Sequence, residues 1–291
     1  MDLAYLKAHP EHLPTLLTHQ RIRETPVGGG SICTAQRLTL EDGASVFAKS
    51  RAGAPEGFFA AEAAGLRWLR EADAAPVPEV IAALPELLAL EWVGEGPPTP
   101  RKAEQLGRDL AALHSAGADA FGASWPGFIG SLPVDNTASA GPWPEWFAER
   151  RLLPLLRLSH DRGALTAPDV TRVELAISRF HGYGEAEAPA RIHGDLWPGN
   201  ILWGVDRAWL IDPAAHGGHR ETDLAMLRLW GGVPHVERVL ASYDEVFPLA
   251  EGWPARVPLH QLFLLLAHTA MFGVAYRDSV LATAHKIGGR G

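Results

Sequence analysis

Hydrophobic positions change their spacing along the chain, and these changes predict strands first and helices later. Residues 45–49 form a short apolar run of strand length that ends in Lys49. A helix with Glu62 beside its buried face is predicted next. Its apolar positions are Phe59, Ala63, Leu66 and Leu69. Residues 87–93 form a second apolar run, so the pattern predicts strand, helix and strand in this part of the chain.

Later segments have the spacing of helices. Leucines in residues 102–117 recur at i, i+4 and i+7, and Gly117 is of the type favoured just after a last helical turn. His114, near the end of this helix, is interpreted as a hydrogen-bonded core or cap residue. Residues 259–276 are apolar and about long enough to span a bilayer. Because polar residues interrupt this segment, we expect a buried helix and no membrane partner.

The densest group of polar residues lies in residues 191–213. Asp195 and Asn200 stand five positions apart in a polar loop between two short apolar runs, and Asp212 follows a few residues later. A hairpin of this kind brings two carboxylates and one amide oxygen together at one end of a small sheet. A Mg²⁺-bound triphosphate needs such groups, so the segment indicates a magnesium and nucleotide site.

A glycine-rich turn precedes Lys49. Such a turn between two antiparallel strands lets main-chain N–H groups approach phosphate oxygens, although many glycine runs are only mobile loops. Its candidate phosphate-binding residues are Gly28, Gly29, Gly30 and Ser31. Lys49 paired with Glu62 would hold an ammonium group over the phosphates; the alternative is that both are solvated surface charges. The combination with the glycine turn favours the nucleotide-binding interpretation.

The second apolar run leads into the Gly- and Pro-rich residues 94–98, which are typical of a boundary. An adenine could be read there by main-chain groups of Glu91, Trp92 and Val93, and the alternative is an ordinary strand end. With 291 residues the chain is long enough for two lobes. We therefore expect an N-terminal lobe of residues 1–93 and a C-terminal lobe of residues 94–291.

Composition narrows the partners and the compartment. Apolar residues make up 47% of the chain and charged residues 21%, as in ordinary globular proteins. A formal charge of −8 without a basic cluster argues against a nucleic-acid partner. Cys33 is the only cysteine, which rules out an internal disulfide and favours the cytoplasm. It is expected to be a small buried residue, with an exposed redox-active thiol as the alternative; the oligomeric state stays open.

Two further features have open interpretations. Asp223, in a loop leading into a helix, either caps that helix or braces the loop around Asp195. The loop-rich residues 121–146 contain several aromatic side chains, which either line an acceptor site or fasten the loop by packing.

Taken in order, these parts resemble the protein-kinase-like fold in its small-molecule branch. Most similar is the fructosamine kinase (ketosamine 3-kinase) family. The matching motifs are His-Gly-Asp-Leu-Trp-Pro-Gly-Asn at residues 193–200, the segment 211–226, Phe-Ile-Gly at 128–130 with Pro133 and Asn136, and Trp146-Phe147 leading to Arg151-Leu152. The resemblance implies an α+β, bilobal protein-kinase-like fold, with an antiparallel sheet and a helix in the N-lobe and a mostly helical C-lobe.

The resemblance also implies a reaction and roles for particular residues. ATP would phosphorylate the 3-hydroxyl of a small-molecule or protein-linked ketosamine (fructosamine or ribulosamine), after which the adduct decomposes and the amine is freed. Asp195 would orient or deprotonate that hydroxyl, and Asn200 and Asp212 would hold Mg²⁺. Lys49, partnered by Glu62, would contact phosphates. Residues 216–217 and Val134 depart from the family pattern, so the acceptor pocket is expected to differ.

Three alternatives remain open. The acceptor could be another small alcohol, such as an aminoglycoside, choline, homoserine or a thioribose-like compound. A metal-dependent hydrolase is a second alternative, which would use a zinc site built from His193, Asp195, Asp212, His216 and His219. This hydrolase hypothesis leaves Lys49 and Glu62 unexplained. A nucleotide-binding pseudoenzyme is the third, and the presence of Asp195, Asn200 and Asp212 disfavours it.

Overall fold

An antiparallel sheet of five strands forms the N-terminal part of the protein in a computed structural model that describes residues 2–18, 22–28, 32–179 and 187–288. The strand order is β1-β2-β3-β5-β4. The strands are β1 (Arg23–Pro26), β2 (Thr34–Thr39), β3 (Ser45–Ser50), β4 (Val80–Leu84) and β5 (Leu87–Glu91). Two short helices, α1 (Leu3–Ala8) and α2 (Leu13–Thr18), precede the sheet. The described residues between 22 and 91 are called the sheet part.

Helix α3 (Phe58–Glu71) crosses between β3 and β4 and packs on the sheet part. Its predicted apolar positions are all buried at 0% exposure, as helical spacing requires: Phe59, Ala63, Leu66 and Leu69. A Cβ atom on Gly65 would lie 3.1 Å from the Cβ of Ala215. Because this position is a glycine, α3 approaches the chain just after Asp212 closely.

Helices dominate the rest of the chain, here called the helical part. They are α4 (Pro100–Ser115), α5 (Trp143–Phe147), α6 (Leu153–Asp161), α7 (Ala167–Ser178), α8 (Glu221–Met226), α9 (Val236–Val246), α10 (Trp253–Phe272) and α11 (Arg277–Gly288), with a π-helical turn at Ala148–Leu152. Short strands lie between them: β6 (Gly127–Ile129), β7 (Leu132–Val134), β8 (Ala190–Ile192), β9 (Ile201–Trp203), β10 (Ala208–Leu210) and β11 (His216–Gly218). The predicted helix at 102–117 is α4, and Gly117 follows it with φ +70°.

The strands around the Asp195 loop pair differently from the prediction. The loop joins β8 to β9, but β9 pairs with β10 and β8 pairs with β11, so two small sheets flank the loop. The prediction of one small sheet was therefore wrong. It failed because β11 contains Gly217 and Gly218, and glycine is depleted in strands. Gly217 is required by close packing, since a Cβ there would lie 1.9 Å from the carbonyl oxygen of Ala120.

A buried hydrophobic cluster joins the two parts of the molecule. It brings together side chains from α3 and β5 with side chains from α4, β10 and α8, among them Leu66, Leu88, Leu110, Leu210 and Leu224. A second cluster lies within the helical part and a third lies beneath α1 and the sheet. The predicted boundary between two lobes after Val93 stays a prediction. The chain passes there from the sheet part to the helical part, and the hydrophobic core is continuous between the two parts.

Helix α10 is a core helix, as predicted, but it ends at Phe272, and Gly273–Tyr276 of the predicted segment form a 3₁₀ turn without a buried residue. The stretch Trp253–Gly288 is long and apolar enough to cross a membrane, but 61% of its most apolar window is buried within the protein. Leu262, Phe263 and Leu266 are at most 1% exposed. The hydrophobicity of this segment is therefore explained by packing in the helical part.

Candidate active site

A cleft of about 830 Å³ lies between the sheet part and the helical part. It contains every predicted site residue that the structure describes: Gly28, Lys49, Glu62, Glu91, Trp92, Val93, Asp195, Asn200 and Asp212. The other predicted phosphate-binding residues, Gly29, Gly30 and Ser31, lie outside the described residues. Residues separated by up to 163 positions in the chain, Lys49 and Asp212, are brought into direct contact.

Lys49 is the central cation of the cleft. Its Nζ lies 2.6 Å from Oε1 of Glu62 and 2.8 Å from Oδ1 of Asp212, and the residue is 8% exposed. Burial alone would lower the pKa of Lys49, but the two carboxylates outweigh it, so the pKa lies above its ordinary value. The lysine is therefore charged and held in place at the end of β3.

Asp195 and Asn200 are joined within the loop that connects β8 to β9. Nδ2 of Asn200 donates to Oδ2 of Asp195 at 3.0 Å and to its main-chain oxygen at 2.8 Å. The other carboxylate oxygen, Oδ1 of Asp195, is buried and has no hydrogen-bond partner among the described residues. Desolvation raises the pKa of Asp195 well above its ordinary value, although the Asn200 hydrogen bond acts in the opposite direction. Such a carboxyl is a better proton acceptor than an exposed aspartate.

Asp212 sits in a strained backbone conformation at the end of the segment after β10. Its φ is +53°, in the left-handed region that non-glycine residues rarely adopt. Its side chain is 46% exposed, so the carboxylate faces the cleft while one oxygen contacts Lys49. Strain of this kind concentrates at functional sites.

Asp223 braces the Asp195 loop from the helical part, which decides between its two predicted roles. It is fully buried, and its carboxylate accepts hydrogen bonds from the main-chain N–H groups of His193 at 2.7 Å and Gly194 at 2.9 Å. Nε2 of His114 lies 3.2 Å from the same carboxylate, and Nδ1 of His114 lies 2.9 Å from the hydroxyl of Tyr243. His114 is thus a hydrogen-bonded core residue, as predicted.

His193 connects the loop to the segment that carries Asp212. Its Nε2 donates to the carbonyl oxygen of Ile211 at 2.9 Å, and its Nδ1 accepts from the N–H of Asp195 at 3.3 Å, a tautomer assigned from these partners. Burial lowers the pKa of His193. The neutral imidazole therefore positions Asp195 and Asp212 relative to each other and is not free to bind a metal.

The groups around Asn200 and Asp212 fit a magnesium ion. Because Asn200 directs Nδ2 at Asp195 and at the main-chain oxygen of Asp212, its Oδ1 is left for another partner. An amide oxygen and a half-exposed carboxylate beside it are hard oxygen donors of the type that Mg²⁺ takes.

The five residues of the alternative zinc site do not form a cluster of metal ligands in the described part of the chain. A different buried cluster, His219, Glu221 and His260, has ligand atoms within 4.8 Å of one another. Arg256 occupies both carboxylate oxygens of Glu221, at 2.5 and 2.8 Å. The N–H of Glu221 donates to Nδ1 of His219, which places the imidazole proton on Nε2. This cluster is therefore read as a structural ion-pair network.

Aromatic residues of the 121–146 segment divide between the two predicted roles. Trp143 and Trp146 are 2% and 3% exposed and belong to the core of the helical part. Trp125 and Phe128 line the cleft. Packing therefore explains Trp143 and Trp146, and an acceptor role for Trp125 and Phe128 stays a prediction.

The sequence interpretation missed the C-terminal wall of the cleft. That wall comes from α10 and the turn after it and includes His268, Met271, Phe272 and Tyr276. The signal in the sequence is the group of polar and aromatic residues that interrupts the apolar segment.

Cys33 also lines the cleft. It is half-buried, and burial raises the pKa of its thiol. A raised pKa lowers the fraction of reactive thiolate, which favours the interpretation as a small packed residue; whether the thiol is redox-active stays untested.

Comparison with known proteins agrees with this geometry. The family model described as fructosamine kinase matches residues 8–287. A relative from Thermus thermophilus named "Probable ketoamine kinase" is 37% identical over 251 residues, covering 86% of this chain and 88% of the relative. The chloroplastic protein-ribulosamine 3-kinase of Arabidopsis thaliana is 32% identical over 267 residues, covering 88% and 79%.

Solved structures show the same relationship. A provisionally named fructosamine-3-kinase from Thermobifida fusca YX-ER1 has a TM-score of 0.87 and 51% identity, covering 92% of this chain and 94% of that one. An ADP-bound aminoglycoside phosphotransferase has a TM-score of 0.63 over 95% of this chain at 14% identity, which shows the fold alone. The predicted α+β, bilobal protein-kinase-like fold is confirmed, and the chain belongs to the fructosamine kinase family.

Proposed function

We propose that this protein transfers the γ-phosphoryl group of ATP to the 3-hydroxyl group of a ketosamine. The observation that carries the proposal is the meeting of Lys49, Glu62 and Asp212 in the cleft that also contains Asp195, whose Oδ1 has no hydrogen-bond partner in the described ranges of the chain. Phosphoryl transfer depends mainly on positioning and charge stabilisation. A fixed ammonium group, a proton acceptor and oxygen ligands in one cleft supply these needs.

The ATP end of the cleft is assigned to the sheet part. Lys49 contacts the phosphates and Glu62 keeps the ammonium group in position, while Gly28 and the predicted Gly29, Gly30 and Ser31 offer main-chain N–H groups. Adenine lies against Glu91, Trp92 and Val93. In support, Glu91 directs its carboxylate to the N–H of Glu79 at 3.2 Å, so its side chain has a partner other than the base.

Asp195 accepts the proton of the acceptor hydroxyl. The hydroxyl oxygen forms a bond to the γ-phosphorus, the bond from that phosphorus to the bridging oxygen breaks, ADP leaves, and the hydroxyl proton goes to Asp195. Its raised pKa supports this role, because the carboxylate then holds the proton more firmly.

Asn200 and Asp212 would hold Mg²⁺. When bound, the ion supplies positive charge that offsets the negative charge of the triphosphate. Asp212 also contacts Lys49, so one side chain would position both the ammonium group of Lys49 and the magnesium ion.

The names of the relatives support a ketosamine as acceptor, since they are called ketoamine kinase and protein-ribulosamine 3-kinase. Phosphorylation at the 3-hydroxyl would make the adduct decompose and return the free amine. The cytoplasmic location predicted from the single cysteine stays a prediction.

The test is ADP release from ATP and Mg²⁺ with ribulosyl-lysine or fructosyl-lysine, using Asp195→Asn as the blank. We expect acceptor-dependent ADP and a phosphorylated ketosamine by mass spectrometry. ADP release with an aminoglycoside, choline or homoserine, together with none from any ketosamine tested, would show that the acceptor is a different alcohol. ATP binding without turnover on any acceptor would support a pseudoenzyme.

A further inference from the structure

A group of metal-ligating side chains lies at the surface in the turn between α1 and α2, outside the cleft lining. Its members are His9, Glu11 and His12, here called the N-terminal cluster, and their ligand atoms all lie within 4.8 Å of one another. Residues Pro10–His12 form a 3₁₀ turn, and His9 directly precedes it. Side chains three positions apart eclipse in such a turn. The two imidazoles therefore stack, with ring centroids 5.2 Å apart and planes 16° apart.

The distances in the N-terminal cluster are close to those of a zinc coordination shell. Oε1 of Glu11 lies 3.5 Å from Nδ1 of His9 and 3.7 Å from Nε2 of His12. Two ligands of a tetrahedral zinc ion, each about 2.0–2.1 Å from the metal, lie roughly 3.3 Å from each other. The three side chains are 48%, 62% and 47% exposed, so they are free to make the small rotations that close the remaining gap.

Tyr5 supplies the outer contact that a zinc-bound imidazole requires. Its hydroxyl oxygen lies 2.8 Å from Nδ1 of His12, and metal-bound histidines donate their second ring N–H to such a group. With the proton on Nδ1 and directed to Tyr5, Nε2 of His12 keeps a lone pair that faces the Glu11 carboxylate. A lone pair and a carboxylate oxygen at this distance repel each other unless a proton or a metal ion lies between them. The Tyr5 contact thus prepares His12 as a ligand.

The donor atoms select the metal. Two imidazole nitrogens and one carboxylate oxygen suit zinc, whereas Mg²⁺ and Ca²⁺ take oxygen ligands. The basic residue of α1, Lys7, is paired with Glu79 at 2.6 Å, so the Glu11 carboxylate is left to the imidazoles. We propose that the N-terminal cluster binds one Zn²⁺ ion, with water in the fourth position. This site is separate from the magnesium ligands of the proposed reaction and does not depend on that function.

Zinc at this position would fasten the segment that precedes the sheet. Leu6 in α1 and Leu13 in α2 lie on either side of the N-terminal cluster, and both are 0% exposed in the hydrophobic cluster beneath α1 and the sheet. An ion that joins His9 to His12 cross-links the turn between these two buried leucines. Because the three ligands meet only in the folded turn, zinc stabilises the folded chain by mass action.

The experiment titrates the whole chain with Zn²⁺ in a calorimeter, after EDTA treatment and in excess Mg²⁺, which occupies sites made of oxygen ligands. Wild type is expected to bind one Zn²⁺ ion whose affinity falls about 100-fold in His9→Ala and in His12→Ala, and about tenfold in Tyr5→Phe. Zinc at about 100 times its dissociation constant should raise the melting temperature of wild type by about 5 °C and leave that of His12→Ala unchanged. Without zinc, the variants should melt with wild type, because the exchanged side chains are about half exposed.

His160→Ala is the matched control. His160 is 46% exposed and lies 3.6 Å from the carboxylate of Asp161, but this pair has no third ligand among the described residues. The control should keep the zinc affinity and the thermal shift of wild type. Wild-type affinity in both His9→Ala and His12→Ala would place the ion elsewhere and overturn the inference. An equal loss of affinity in His160→Ala would show unspecific binding to surface histidines and would also overturn it. Phosphoryl transfer does not enter these measurements, so a failure of the proposed function remains distinguishable.

Discussion

Two pairs of acidic residues near the Asp195 loop lie in opposite environments. Asp223 and Glu221, at the start of α8, are buried and fully partnered: Asp223 accepts from two main-chain N–H groups, and Glu221 binds Arg256 through both oxygens. Asp195 and Asp212, in the cleft, are not both buried and fully partnered. One oxygen of Asp195 has no partner in the described chain, and Asp212 is strained at φ +53°.

The pKa values of Asp223 and Asp195 follow the same division. Burial would raise the pKa of Asp223, but hydrogen bonds from His114 and the N–H of His193 outweigh it, so the pKa is lowered. For Asp195 desolvation prevails and the pKa is raised. The comparison shows that the bonding capacity of the two acids in α8 is taken up by other protein groups, whereas the acids proposed to act on substrates keep unused bonding capacity.

The largest effect is expected for Asp195→Asn. Loss of the proton acceptor should lower kcat by about 10²–10⁴-fold. The melting temperature should stay the same or rise, because removing a desolvated charge relieves its cost. ADP release and thermal unfolding measure the two effects, and unchanged ATP binding is the control. A large fall in melting temperature would place Asp195 with the bracing acids and break the comparison.

Asp223→Ala should have the opposite profile and lower the free energy of unfolding by about 4 kcal/mol, because it leaves buried N–H groups of His193 and Gly194 without an acceptor. Urea denaturation measures this. Asp278→Ala is the control, since the Asp278 side chain is 96% exposed. Equal stability of the two variants would show that the brace is not needed.

A pH titration of stability sharpens the comparison further. Burial would raise the pKa of Glu221, but Arg256 and His260 lower it from 4.5 to about 2. The ionised form therefore adds stability that is complete above pH ~4.5 and is lost as pH falls through about 2, at most about 3 kcal/mol. The stability difference between wild type and Glu221→Gln should shrink over this range.

Glu237→Gln, which removes a carboxylate that is 73% exposed, is carried through the same titration as the control variant. A difference between wild type and Glu221→Gln that stays constant from pH 6 to pH 2.5 would contradict the ion pairing of Glu221 with Arg256.

The smallest effect concerns the strain at Asp212. Asp212→Gly and Asp212→Ala both remove the carboxylate, but only glycine relieves the positive φ. We expect the glycine variant to be about 1 kcal/mol more stable, or about 2–4 °C in melting temperature. Calorimetry on both variants tests this, and equal melting temperatures would mean that the backbone relaxes without cost.

Much of the cleft could be predicted from short-range features. Lys49 ends an apolar strand, Glu62 lies beside the buried face of a helix, and Asp195 and Asn200 share one polar loop. Polar residues at the ends of apolar runs stand out in a sequence, because a polar side chain that is buried there needs a hydrogen-bond partner. The predicted set is therefore the set that the structure brings to one cleft, apart from the glycine-turn residues outside the described chain.

Other features could not be read in this way. The partner of Asp223 lies 30 positions away at His193, and no local pattern distinguishes a brace from a helix cap. In the sequence Trp230 is one aromatic residue before two glycines; its left-handed backbone and its contacts with Trp197 and His268 exist only in the folded chain.

By itself the sequence determined strands β3 and β5, helices α3 and α4, the family and the identity of the polar groups in the cleft, because spacing and residue chemistry are local properties. Only the tertiary structure decided that β8 pairs with β11 instead of sharing a sheet with β9, and that α10 supplies one wall of the cleft. Strands of three residues carry too little pattern to select a partner. Their pairing is set by what packs around them, here by the close contact of Gly217 with Ala120.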